Sequence, residues 1–228
     1  MLVAILMQVA LFGMTGFKSF LFTIPFALVI ARLSRNRGFL LYAVVGASML
    51  VVGGLLFFAI TTDILLPSLA IRRTLFVPAQ LHFWYNEFFM NNPKIYLSNS
   101  IFRLFVKYPY NMPVTRVISW AFMGRDGGPN VGLLGDAYAN FGYAGMIVYT
   151  ILLALFLRLI DSIASSLPRG YATAMIAMPA FCLTNSALFT TLMTHGFLLS
   201  ALWMWFSAGE LINRSGGFGY DGGNSNAR

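Results

Sequence analysis

Long unbroken apolar runs, rather than alternation, organise this chain. A helix rises ~1.5 Å per residue and a bilayer's hydrocarbon is ~30 Å thick, so a crossing needs about 20 mostly apolar residues. Stretches of that kind predict a span around Phe20–Ala31, extended by weakly polar neighbours, and further spans at Gly38–Ile60, Phe141–Ile160, Tyr171–Met193 and Gly196–Ile212. Met1–Phe12 is strongly apolar but too short to cross. It lacks the basic start and small-residue cleavage site of a signal peptide, and reads as the tail of a helix whose beginning is missing. The expected organisation is therefore N-terminal membrane helices over 1–60, an external segment over 61–140, three C-terminal membrane helices over 141–212, and a disordered Gly/Asn/Ser-rich tail over 213–228.

The segment 61–140 is too apolar for a free loop and too polar to cross. Ile64–Met90 has the pattern of an amphipathic helix lying at the interface, broken at Pro67 and Pro78. Trp84, Tyr85, Phe88 and Phe89 are expected at headgroup level, where ring faces meet lipid and polar edges meet water.

Composition hardens the membrane reading. Of 228 residues, 58% are hydrophobic and only 10% charged, with a mean hydropathy of +0.75. Soluble domains carry about 25% charged residues, so a water-facing surface could not be covered. The continuous runs favour helices over a barrel, which gives an all-α polytopic membrane protein with about five transmembrane helices and a long external segment containing amphipathic helices. The one cysteine, Cys182, sits in an apolar run and has no partner for an intramolecular disulfide.

The net charge of +8 separates into two groups. Arg32, Arg35, Arg37, Arg158, Arg169, Arg214 and Arg228 flank spans on a single side if the helices alternate, which makes that side cytoplasmic. Arg72, Arg73, Lys94, Arg103, Lys107, Arg116 and Arg125 crowd the external segment, against Asp63, Glu87, Asp126 and Asp136. A guanidinium's planar fork bonds two oxygens at once and suits a pyrophosphate, although any one of these cations also suits lipid headgroups or water. No motif for nucleic acid is present.

Three side chains are candidates for proton transfer. Glu87 shares a face with Gln80 and Arg73 if the helix continues past Pro78. Asp136 follows a cluster of glycines just before a span, and His195 lies in a tight external turn. Partial desolvation at a membrane surface tunes such groups for general-base work. The simpler roles are pairing with a nearby arginine for each carboxylate and a hydrogen-bonded turn for His195. Neither His195 nor His82 has a metal-ligand partner at helical spacing, so no metal and no cofactor are expected.

Several stretches resemble the external segment of oligosaccharide repeat-unit polymerases of the O-antigen polymerase type. They are Arg72–Ala79 followed by Tyr85 and Phe88-Phe89, then Tyr108–Pro113, Gly124–Gly132 and Gly135–Gly145, together with Thr15–Ser19 and the Thr194–Gly196 turn. The likeness runs from about Gly13 to Ile212, and the chain is similar to the C-terminal part of such enzymes, which have about twice as many spans. Arg116 and Gly127 fit an Arg-x10-Gly pattern found in some members' external loops.

The resemblance implies a metal-independent glycosyltransferase of the bacterial inner membrane. It would join polyprenyl-pyrophosphate-linked oligosaccharides on the periplasmic face, alongside a chain-length regulator and a flippase of the same pathway. Arg72 and Arg73, with Arg116 or Arg125, would then stabilise the departing pyrophosphate, and Arg103 would be a further substrate contact. Glu87, Asp136 or His195 would take the acceptor's proton, and Tyr85 and Tyr138 would contact sugar or lipid. The rival expectations are a non-enzymatic transporter of lipid-linked glycans and an inactive truncated polymerase.

Overall fold

The computed structural model describes residues 2–15, 18–99 and 101–216, and among these every regular element is helical. In chain order they are α1 (Leu2–Thr15), α2 (Lys18–Leu33), α3 (Phe39–Thr61), α4 (Leu65–Pro67), a π-helix (Ser68–Phe76), α5 (Val77–Asn91), a 3₁₀ turn (Ile101–Leu104), α6 (Val114–Met123), α7 (Leu133–Ala164), α8 (Arg169–Leu183), α9 (Leu188–Met193) and α10 (Phe197–Gly216).

Two helices, α3 and α7, are long and apolar enough to cross a membrane. Helix α3 is apolar all round, with Gly54 its one buried residue, so nearly its whole surface awaits a non-aqueous neighbour. Its 23 residues reach about 34 Å, enough to cross ~30 Å of hydrocarbon.

Four expectations need correction. The run expected as one span at 171–193 is interrupted: α8 ends at Leu183 and α9 begins only at Leu188. The polar triplet Thr184-Asn185-Ser186 lies in the gap, where its side chains compete with the helix for backbone hydrogen bonds. Thr184 shows this directly, its hydroxyl donating to the Phe181 carbonyl at 2.7 Å.

The amphipathic helix at 64–90 is not broken at its prolines. Helical structure runs on from Leu65 to Asn91, because the π-helix takes up the mismatch and its wider turn closes with the Val77 N–H donating to the Arg72 carbonyl. Residues 213–216, expected in the tail, continue α10, whereas residues 217–228 lie outside the described residues, as do Gly16 and Phe17 of the Thr15–Ser19 stretch.

Contacts divide the chain into two compact units. The first comprises Met1–Arg35, Phe156–Met178 and Phe197–Arg228. Within it α1 packs on α2, the Ser34 and Thr173 hydroxyls meet at 2.7 Å, and Tyr171 bonds Ser207 at 3.0 Å.

The second comprises Asn36–Leu155 and Pro179–Gly196 and so holds the whole segment 61–140. Leu81, Tyr85 and Phe89, four residues apart on α5, present one buried stripe to Ile95, Val114, Ile118, Val131, Tyr138 and Ala139. This corrects the fourth expectation, that the α5 aromatics sit among headgroups. Tyr85 and Phe89 are core residues, Trp84 stacks on Phe122 with ring centroids 5.5 Å apart, and Phe88 packs edge-on against Phe89.

Helix α7 does two jobs. Its first turns, residues 135–140, are buried in protein, while most of the apolar side chains beyond Gly142 are exposed. Gly142 stands between the two parts at φ 64° and ψ −151°, a conformation closed to residues with a Cβ, and kinks the helix there. Just before the kink, the fully buried Asn140 fastens the loop 93–98. Its Oδ1 accepts from the Leu97 N–H at 2.6 Å, its Nδ2 donates to the Asp136 carbonyl at 2.8 Å, and the Ile95 N–H reaches the Ala139 carbonyl at 3.0 Å.

Replacing Asn140 with Ala removes a buried acceptor and a buried donor together, at a cost of about 2–4 kcal/mol. Thermal unfolding of the detergent-solubilised protein is expected to show a midpoint lower by about 5–10 °C for Asn140→Ala. An unchanged midpoint would show that the clasp does not hold the loop.

Candidate functional site

Within the second unit a cavity of about 590 Å³ opens among four stretches far apart in sequence. Tyr85 of α5 forms part of one wall, and the 98–115 segment contributes Ser98, Arg103, Tyr108 and Tyr110. Asp136 comes from the first turn of α7, while Ser186, Thr190 and His195 come from the interrupted α8–α9 region and its following turn. That volume falls in the range of small-molecule sites.

Each wall has a local reason to be where it is. The 98–115 segment is pinned through its tyrosines: the Tyr110 hydroxyl donates to the Pro93 carbonyl at 2.6 Å and the Tyr108 hydroxyl to the Met112 carbonyl at 2.9 Å. Their rings pack edge-to-face, 5.8 Å between centroids. The α8–α9 break is held against the start of α7 by close backbone approach, since a Cβ at Gly132 would stand 2.9 Å from the Thr184 carbonyl oxygen. The His195 turn closes on itself through the Thr194 N–H and hydroxyl, both donating to the Thr190 carbonyl, with Gly196 at φ +80°.

Asp136 is the electrostatic centre of this cavity. It lies in the first turn of α7, buried in protein and before the Gly142 kink, beyond which most apolar side chains are exposed. The positive end of a helix dipole favours the ionised carboxylate there, and a hydrogen bond from Asn140 acts the same way. Burial opposes both and wins, pushing the carboxyl up to about 6. Tyr85 responds in turn: burial raises its phenol, and the neighbouring Asp136 and Tyr108 raise it further. Burial likewise pushes Tyr108 up to about 12, so both hydroxyls stay neutral and serve as hydrogen-bonding groups.

The expected site residues divide. The cavity brings together Asp136, His195, Arg103 and Tyr85. Glu87, Arg72 and Arg73 are exposed and line no part of it; Arg72 and Arg73 stand on the π-helix. Arg116 is engaged on the surface in a two-pronged ion pair with Asp126, Nε to Oδ1 at 2.7 Å and a terminal nitrogen to Oδ2 at 2.6 Å. That pair holds the Asp126 carboxyl below its ordinary value. Arg125 is exposed outside the cavity, and its carbonyl accepts from the Ser119 hydroxyl at 2.9 Å.

Tyr138 lines a separate cleft of about 270 Å³ with His82, Phe83 and Tyr143, and the Lys94 ammonium stands 4.0 Å from its ring centre. Among the described residues no three His, Cys, Asp or Glu side chains are grouped to hold a metal ion. Comparison with protein-family models, curated proteins and solved structures finds no match.

Sequence reasoning missed Tyr108, Tyr110, Ser186 and Thr190 as cavity residues. The signal for the first two was the Tyr108–Pro113 stretch, and for Ser186 it was the polar triplet inside an apolar run. Thr190 left none.

As chemistry, the cavity offers a buried carboxylate that titrates near neutrality, an imidazole, one arginine and an aromatic wall. These suit proton abstraction beside an anionic group.

The raised Asp136 value fixes a stability trend. The folded state holds this proton more tightly than the unfolded chain, so its stabilising contribution is complete below about pH 4 and is lost as pH rises through about 6. Asp136→Asn cannot ionise and is expected to lack that loss. The thermal midpoint of the wild type relative to the variant should therefore fall between pH 4 and pH 7, and a constant difference would place the carboxyl at its ordinary value.

Proposed function

We propose that this chain is a multi-pass glycosyltransferase of the bacterial inner membrane, polymerising polyprenyl-pyrophosphate-linked oligosaccharide repeat units on the periplasmic face. The observation that carries the reading is convergence. Tyr108–Pro113, Asp136 and the Thr194–Gly196 turn belong to three separate stretches that resemble repeat-unit polymerases, and residues from all three line one cavity. In this reading α2, α10 and the interrupted α8–α9 region supply crossings in addition to α3 and α7, and the basic loops face the cytoplasm.

The reaction needs little from the protein because the donor is already activated. The acceptor hydroxyl oxygen attacks the donor's anomeric carbon, the bond from that carbon to the pyrophosphate oxygen breaks, and polyprenyl pyrophosphate leaves with the electron pair. Asp136, ionised above about pH 6, takes the hydroxyl proton. Arg103 stabilises the charge that develops on the leaving pyrophosphate. His195 bonds sugar hydroxyls, and Tyr85, Tyr108 and Tyr110 present rings and phenols to the pyranose faces. The leaving-group role thereby passes from Arg72, Arg73, Arg116 and Arg125 to Arg103, expected only as a substrate contact, because Arg103 is the arginine that lines the cavity.

The test is reconstitution of the chain with purified lipid-linked repeat units, followed by separation of products by length. The wild type should give a ladder whose rate rises with pH through an inflection near 6. Asp136→Asn should slow it by about 10²–10⁴-fold. Arg73→Ala, outside the cavity, should leave the ladder intact. Movement of repeat units between leaflets without elongation would replace this reading with a transporter, and unextended repeat units with no movement would replace it with an inactive polymerase fragment.

A further inference from the structure

Between residues 62 and 140 the least covered large apolar side chains described are Leu104, 89% exposed, and Phe105, 83% exposed. They sit at the end of the 3₁₀ turn Ile101–Leu104, and neither is counted among the side chains packed against the unit's core. Arg103 and Lys107 flank them, both exposed, with no acidic residue anywhere from 101 to 116. Arg103 is also a cavity residue, so the apolar tip begins one residue from the site. The segment that carries the tip is joined on both sides to helices long and apolar enough to cross a membrane, α3 ending at Thr61 and α7 running on past Gly142.

We propose that Leu104 and Phe105 insert into the outer leaflet of the membrane as an interfacial anchor, with Lys107 on a lipid phosphate, so that the cavity mouth and Arg103 are held at headgroup depth. Two apolar side chains left in water beside two cations and no anions match the boundary of an anionic leaflet, with hydrocarbon on one side and phosphate on the other. A protein partner built for this tip would have to bring both an apolar pocket and its own acids, whereas a bilayer supplies both and is already present. The aromatics expected at the interface, Tyr85 and Phe89, are consumed by the core, and this tip takes their place. The inference rests on the proposed function only for its consequence, which is that the pyrophosphate of a lipid-linked donor arrives level with Arg103.

The test is depth measurement by spin labelling in nanodiscs of phosphatidylcholine and phosphatidylglycerol. Labels are placed one at a time at 104, 105 and 111 in a Cys182→Ser background, and relaxation by oxygen is compared with relaxation by a water-soluble nickel chelate. Labels at 104 and 105 should favour oxygen and the label at 111 should favour nickel. Equal nickel access at all three positions would overturn the proposal, and so would shielding of 104 and 105 from both reagents in native membranes combined with nickel access in nanodiscs, since that pattern belongs to a protein partner.

A second arm compares Phe105→Ser with the wild type on two donors. The variant should raise KM about tenfold for a long-chain polyprenyl donor with kcat unchanged, and should leave a short-chain water-soluble donor unaffected. An equal loss on both donors would indicate damage to the fold rather than a lost anchor. Depth requires no turnover, so failure of the anchor and failure of the polymerase reading are told apart.

Discussion

Everything in the second unit depends on the point at which helix α7 stops being wrapped in protein and starts facing outward, and that point is Gly142. A continuous helix would carry the direction of its buried first turns into the crossing. A glycine at φ 64° frees the two parts to take different directions. Asn140, one turn beyond Asp136, then does the fastening that the kink makes necessary, because a bent helix end needs partners for the groups around it. Its amide spends one edge on the Asp136 carbonyl and the other on the Leu97 N–H. The carboxylate of the site and the loop leading to its arginine are therefore fixed by one side chain.

The unit's two best-defined aspartates show how environment divides identical groups. Asp126 lies on the surface with a guanidinium across both oxygens, and is held ionised. Asp136 is buried, with no cation bonded to it among the described residues, and holds its proton to about pH 6. The difference suits different work. A carboxylate locked in an ion pair is a poor base, since taking a proton would break the pair, whereas one that titrates near the working pH can accept and return it. The exposed cation Arg103 has no ion-pair partner among the described residues and stands open to an incoming anion at the cavity. An arginine bonded to Asp136 would have lowered its proton affinity and blocked both roles.

What could be read from sequence follows from what apolar pattern encodes. Helices α3 and α7 were legible because a long run that is apolar on every side has few homes besides a membrane. The break after Leu183 was not, because three polar residues vanish in an average over twenty apolar ones. The α5 aromatics were misplaced for a deeper reason: Leu81, Tyr85 and Phe89 mark an apolar stripe equally well whether it meets lipid or protein, and only the fold supplies Ile118 and Val131 to cover it. Among the candidate site residues, Asp136 and His195 could be found because they are scarce types at element boundaries. Arg72 and Arg73 drew notice by being adjacent, which says nothing about what they face. Tyr108 and Tyr110 were hidden by the abundance of aromatics around them.

Depth is the property that joins these observations into a mechanism. A lipid-linked sugar is confined to a plane, so a site meets it only where its own cation lies at the height of the phosphate. The buried aromatic stripe cannot set that height, since it faces protein. Crossing helices fix it only loosely, because a helix longer than the hydrocarbon tilts or shifts at small cost. In the proposed anchor, the apolar tip beside Arg103, which begins one residue from the cavity, would tie the arginine itself to the boundary between hydrocarbon and phosphate. The raised proton affinity of Asp136 has a different source, its burial within protein.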